Sequence, residues 1–119
     1  MYKMELKPGL FIITVSGFIK EDEANSFISE YNLYVKKINP SQTDLILDGK
    51  NLATSAQNML PILEGCLKMY IKDNFRKIFL TKFESTITMM QIKKLNASQF
   101  LDRIIMIDSV EDAMLQLKV

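Results

Sequence analysis

The chain has 119 residues, with 15 Lys+Arg against 14 Asp+Glu, 1 Cys, no Trp and no His. That length fits one domain able to bury its own core. The lack of His removes His-based triads, His general bases and His metal sites. The single Cys removes a disulfide framework and a multi-Cys zinc site. A net charge of +1 argues against affinity built on phosphate neutralisation, so no nucleic-acid partner is expected.

Met1 to Glu5 lacks a basic segment followed by an apolar run. No stretch approaches the roughly 18 apolar residues of a membrane span. A soluble, cytoplasmic protein is expected. Tyr2, Met4 and Leu6 alternate with Lys3, Glu5 and Lys7, the period of a half-buried strand. Pro8-Gly9 supplies a tight turn into the β-branched run Leu10–Val15. Ala24, Phe27, Ile28, Tyr31, Val35 and Ile38 then recur at three and four, an amphipathic helix. Glu21, Asp22 and Glu23 suit its first turn, Lys36 and Lys37 its last, and Pro40 stops it.

Leu45-Ile46-Leu47 reads as a short buried strand ending at Asp48-Gly49. The next helix is expected to open at an Asn58 cap, with Pro61 inside the first turn. Its stripe is Met59, Leu63, Cys66, Leu67 and Tyr70, and Ile62 and Met69 form a second, outer apolar line. Ile78-Phe79-Leu80 is another strand. A third helix opens at Ser85 or Thr86 with Ile87, Met90 and Leu95 inward and Met89 off the core. Ile104–Ile107 is the last strand, and Ser109 with Asp112 resembles a capping box for a final helix. The order β-β-α-β-α-β-α-β-α predicts a single α/β domain over 1–119, a mostly parallel sheet with an N-terminal hairpin and a helix after each later strand.

Four segments carry a resemblance to a known family. They are Val15-Ser16-Gly17-Phe18-Ile19, Leu45-Ile46-Leu47-Asp48-Gly49-Lys50-Asn51-Leu52, the helix Leu60–Leu67, and Arg103–Leu117. Their order and spacing resemble the STAS domain of SpoIIAA-type anti-sigma-factor antagonists. The resemblance implies a regulatory protein-interaction module that binds an anti-sigma-like or scaffold protein, or itself. The family's Asp-Ser-Ser-Gly signature would fall on Ala56, Gln57, Asn58 and Met59. The acceptor serine is thus replaced by Asn58, which has no hydroxyl, so the phosphorylation switch is expected to be missing there. Thr54 and Ser55 would lie in the preceding loop.

Other chemistry finds little support. The four glycines are scattered, with no phosphate-binding pattern. Asp48, Thr81 and Asp108 end strands, but the first long strand ends Val15-Ser16-Gly17, without the acidic pair of a metal-dependent phospho-aspartate site. Cys66 lies in an apolar stripe and reads as a small buried hydrophobe. No cofactor and no metal are expected. Lys68, Lys72, Arg76 and Lys77 read as a solvated basic face.

Ligands of α/β sheets bind outside the carboxyl ends of the strands. Here that rim gathers Ser16, Gly17, Asp48, Gly49, Asn51, Thr81 and Lys82. The expected partner-binding set is Gly17, Asp48, Gly49, Lys50, Asn51, Ser55, Asn58, Ile62 and Met69. The expected function is non-enzymatic protein binding. The alternative is a small-molecule or lipid carrier, with a small apolar ligand between the second and third helices.

Overall fold

The computed structural model describes residues 1–117; the last two residues of the expected 1–119 domain lie outside the described residues. Five segments form strands: β1 (Tyr2–Lys7), β2 (Leu10–Val15), β3 (Asp44–Asp48), β4 (Lys77–Thr81) and β5 (Ile104–Ile107). They make one sheet in the order β1-β2-β3-β4-β5. The β1–β2 pair is antiparallel and the rest are parallel. The helices are α1 (Glu21–Val35), α2 (Leu60–Asp73), α3 (Thr86–Lys94), α4 (Ser98–Arg103) and α5 (Val110–Leu117).

Alternation along the strands divides the interior in two. One face holds Phe11, Ile13, Leu45, Leu47, Ile78 and Leu80, with Phe27 and Tyr31 of α1, Leu67 and Tyr70 of α2, Ile92 of α3 and Phe100 of α4. Aromatic contacts run through it, from Phe11–Tyr31 at 6.0 Å to Tyr31–Tyr70 at 5.5 Å and Tyr70–Phe100 at 6.3 Å. The other face is thinner: Leu10, Ile12, Ile46, Phe79 and Ile107 pack against Ala113, with Val110, Met114 and Leu117 of α5.

The expected strands and principal helices are present, and Ser109 Oγ accepts the Asp112 amide at 3.2 Å, as a capping residue should. Several boundaries differ. The first helix ends at Val35, so Lys36 and Lys37 lie beyond its last turn. A 3-10 turn, Gln57–Met59, precedes α2, and the residue before the helix is Met59. Asn58 therefore sits exposed within that turn and is not the helix cap. Ser85 does cap α3, accepting from the Thr88 amide at 3.1 Å. That helix is rotated from the expected orientation: Thr88 and Ile92 are buried, whereas Ile87 and Met90 are exposed. On the inward side the Thr88 hydroxyl donates to the Leu52 carbonyl at 3.3 Å and Ile92 joins the main core. The short α4 was not expected; only Phe100 of its six residues is fully inward, too few for a helical period to register.

Candidate functional site

The carboxyl ends of β2, β3 and β4 are covered by the loop between β3 and α2. Gly17 takes φ 68°, a left-handed conformation open to glycine at little cost. There its amide donates to the Asn51 carbonyl at 2.9 Å, and its carbonyl accepts from the Ala53 amide at 3.0 Å. The loop is held from the other side by α3 and the turn before it. Gln91 accepts from the Ser55 amide and donates to the Ser55 carbonyl, both at 2.9 Å. The Glu84 amide donates to the Lys50 carbonyl at 2.9 Å. A segment with no regular structure is thereby fixed by the kind of bonds that fix a strand.

Asp48 and Thr81 form the polar centre beneath this loop. The Gly49 amide donates to Thr81 Oγ1 at 3.0 Å, and the Thr81 hydroxyl donates to Asp48 Oδ1 at 3.3 Å. The Lys50 amide donates to the same carboxylate oxygen at 3.3 Å. Gly49 itself is buried against Phe83: a Cβ there would lie 2.7 Å from the ring. At the outer edge, Lys82 pairs with Asp108 at 2.8 Å. That pair raises the Lys82 ammonium and lowers the Asp108 carboxyl, through the hydrogen bond first and the opposite charge second.

The structure brings Gly17, Asp48, Gly49, Lys50, Asn51 and Ser55 together on this rim through the bonds above. Lys50, Asn51 and Asn58 are exposed, and Ser55 is half-buried under Gln91. The two α2 residues behave differently. Ile62 is half-buried and lines a cavity, and Met69, two turns further on, packs against the core. They do not form an exposed outer line, because one side chain turns into the cavity wall and the other onto the core. Sequence reasoning missed Phe18, Phe83, Thr88 and Gln91. Phe18 follows the rim glycine and is 54% exposed. A single aromatic straight after a strand-end glycine was the available signal; the Gln91 clamp had none.

Beneath the rim lies an apolar cavity of about 110 Å³, lined among others by Ile13, Leu47, Met59, Ile62, Cys66 and Phe83. Burial pushes the Cys66 thiol up to about 11, so it is a poor nucleophile at neutral pH. Among the described residues, no group of three or more His, Cys, Asp or Glu converges as a metal site. No helix among them is long and apolar enough to cross a membrane.

No family model and no curated protein matches the sequence. Solved structures do match in fold. The anti-sigma factor antagonist SpoIIAA in its unphosphorylated form aligns with TM-score 0.70 at 9% identity, over 99% of this chain and 96% of that one. The Bacillus cell fate determinant SpoIIAA in its phosphorylated form gives 0.66 at 10% identity, over 98% and 99%. An anti-sigma factor antagonist from Mycobacterium paratuberculosis gives 0.66 at 16% identity, over 100% and 94%. The fold is SpoIIAA-like. The likeness spans nearly the full length of each chain, and at these identities it is a likeness of architecture. The hairpin, the parallel strands and the intervening helices are the SpoIIAA-like frame that Gly17, the β3 end and the start of α2 had suggested.

Proposed function

We propose that the protein is a non-enzymatic regulatory module that acts in the cytoplasm and docks a protein partner, of anti-sigma or scaffold type, on this rim. The observation that carries the reading is the β3–α2 loop, held from both sides by Gly17 and Gln91 and flanked by exposed Phe18. A surface fixed before binding loses little conformational entropy on docking. An exposed aromatic next to Gly17, whose amide is bonded to the exposed Asn51, is the composition expected of an anchor with a polar border. The SpoIIAA-like architecture agrees with a binding role. In this reading Asn58 occupies the place of a phosphoacceptor serine and offers no hydroxyl, so association is not switched by phosphate at that position.

Phe18→Ser and Lys50→Glu should each weaken capture of an anti-sigma-type partner while leaving the melting temperature close to that of the parent. Unchanged capture by both variants would remove the rim as the docking surface. Incubation with an anti-sigma-type kinase and ATP should leave residue 58 unmodified; a phosphopeptide bearing Thr54 or Ser55 would move the switch into the loop instead.

A second reading is favoured by the cavity. Its volume of about 110 Å³ suits an apolar group of a few heavy atoms, comparable to cavities of about 150 Å³ that take benzene. It is too small for a whole acyl chain. Native mass spectrometry of protein taken from cells separates the readings: a retained small mass supports a carrier, and a bare polypeptide supports the interaction module.

A further inference from the structure

We propose that the β1 edge pairs with the β1 edge of a second copy of this chain, making one continuous sheet across a two-fold axis at Met4. This surface is separate from the rim, and the inference stands whether or not the rim docks a partner.

Alternate main-chain groups of β1 face outward. The Met1 and Ser16 main chains exchange two bonds of 2.8 Å. Bonded pairs alternate along an antiparallel ladder. In the observed register the bonded pairs are therefore Met1–Ser16, Lys3–Thr14, Glu5–Ile12 and Lys7–Leu10. The N–H and C=O groups of Tyr2, Met4 and Leu6 point the other way, out of the sheet. β1 is the edge of the sheet. Such a row is a template for another strand.

The side chains select the register. An axis at Met4 sets Lys3 opposite Glu5 of the second copy, twice by symmetry, on the face away from α1. It sets Tyr2 opposite Leu6 on the α1 face, covering a leucine that is 37% exposed in the single chain. Six outward main-chain bonds then form, two each at Met4–Met4, Tyr2–Leu6 and Leu6–Tyr2. Lys7 falls opposite Met1, whose amine is held by the Ser16 carbonyl and by Glu23 at 3.1 Å. The alternatives are worse. An axis at Lys3 or Glu5 sets that residue against itself, and the second also sets Lys3 against Lys7; like charges directly opposite repel. An axis at Leu6 brings the Met4 groups to Pro8, which has no N–H to give. The other edge, β5, offers no such match: an axis at Met106 faces Ile104 with Asp108, and one at Ile105 faces Asp102 with Asp108. In the single chain Lys3 and Glu5 pair with each other at 3.2 Å, so the same charges are already adjacent and exchange partners on pairing.

The test is sedimentation with charge variants. The parent protein should dimerise in a concentration-dependent way. Lys3→Glu alone, or Glu5→Lys alone, should weaken self-association roughly tenfold, because two attractive pairs become repulsive. An equal mixture of the two should restore it, since each then presents the charges the other lacks. In the dimer the Tyr2, Met4 and Leu6 amides should gain protection from hydrogen exchange, while those of Lys3 and Glu5, already bonded to β2, should not. A parent protein that stays monomeric at every accessible concentration overturns the proposal. So does a dimer in which the Tyr2, Met4 and Leu6 amides exchange freely, or a mixture that fails to restore association.

Discussion

Strand β3 begins and ends on an aspartate, and the two are treated in opposite ways. Asp44, at the amino end, is 2% exposed and takes two bonds from Arg76, at 3.0 and 2.7 Å. Near it the Tyr31 hydroxyl donates to Asp73 at 2.6 Å, and Arg103 donates to the Phe75 carbonyl at 2.6 Å. Asp48, at the carboxyl end, is half-buried and holds only a hydroxyl and one amide, each at 3.3 Å. At the amino end of β3 the carboxylate is spent on an ion pair, with short bonds beside it that close the structure. The other end leaves a carboxylate with spare acceptor capacity under a loop. Residue type alone does not distinguish them; the neighbour does, an arginine just before β4 at one end and the last threonine of β4 at the other.

The contrast can be broken by mutation. Asp44→Ala should cause the largest loss of stability, because it removes two charge-assisted bonds at a closed site. Urea unfolding would show it as the greatest fall in midpoint among these variants. Thr81→Val should cost about 1–3 kcal/mol, since the buried Gly49 amide loses its acceptor without gaining water. Gln91→Ala should cost about 1 kcal/mol and speed hydrogen exchange at Ser55, while leaving exchange in β3 unchanged. Asp48→Asn keeps its hydrogen-bonding oxygen and should change stability least. If Asp48→Asn destabilised the fold as much as Asp44→Ala, the division into a closing end and an open end would collapse.

Solution pH sharpens the same comparison. Tyr31 is held far above its ordinary value of 10.0, by burial first and by the bond to Asp73 second. Tyr2 is raised to about 12, chiefly by its bond to Glu30. Cys66 rises from 9.0 to about 11 by burial. In each case the folded state retains the proton more tightly than the unfolded chain. The contribution to stability is therefore full below the unfolded values, declines above them, and is lost as pH rises through the folded values. The urea midpoint should be steady to about pH 9 and then fall. Tyr31→Phe should cost about 1 kcal/mol at neutral pH and make the alkaline fall shallower.

Much of this architecture was legible in the residues. Strand alternation at Tyr2–Leu6, the turn at Pro8-Gly9 and the α1 stripe through Tyr31 are all present. Those signals are local and repeat over several residues. What failed depended on single distant partners. Nothing near Thr88 announces that its hydroxyl will reach Leu52 and face inward while Ile87 faces solvent. Asn58 has the chemistry of a cap, but the chain makes a 3-10 turn there first and α2 starts two residues later. The rim positions around Gly17 and Asp48 could be placed because strand ends are readable. The clamp that rigidifies them, one glutamine against the Ser55 main chain, could not.

The bare α-carbon at position 49 has a consequence for the ring beside it. Phe83 rests where a methyl group would otherwise stand, and its ring is part of the wall above Cys66. A methyl group at that position would push the ring aside and reshape the wall of the hollow. The placement of that ring therefore rests on one hydrogen atom, and a thiol reagent timed against half-buried Cys66 would register its displacement.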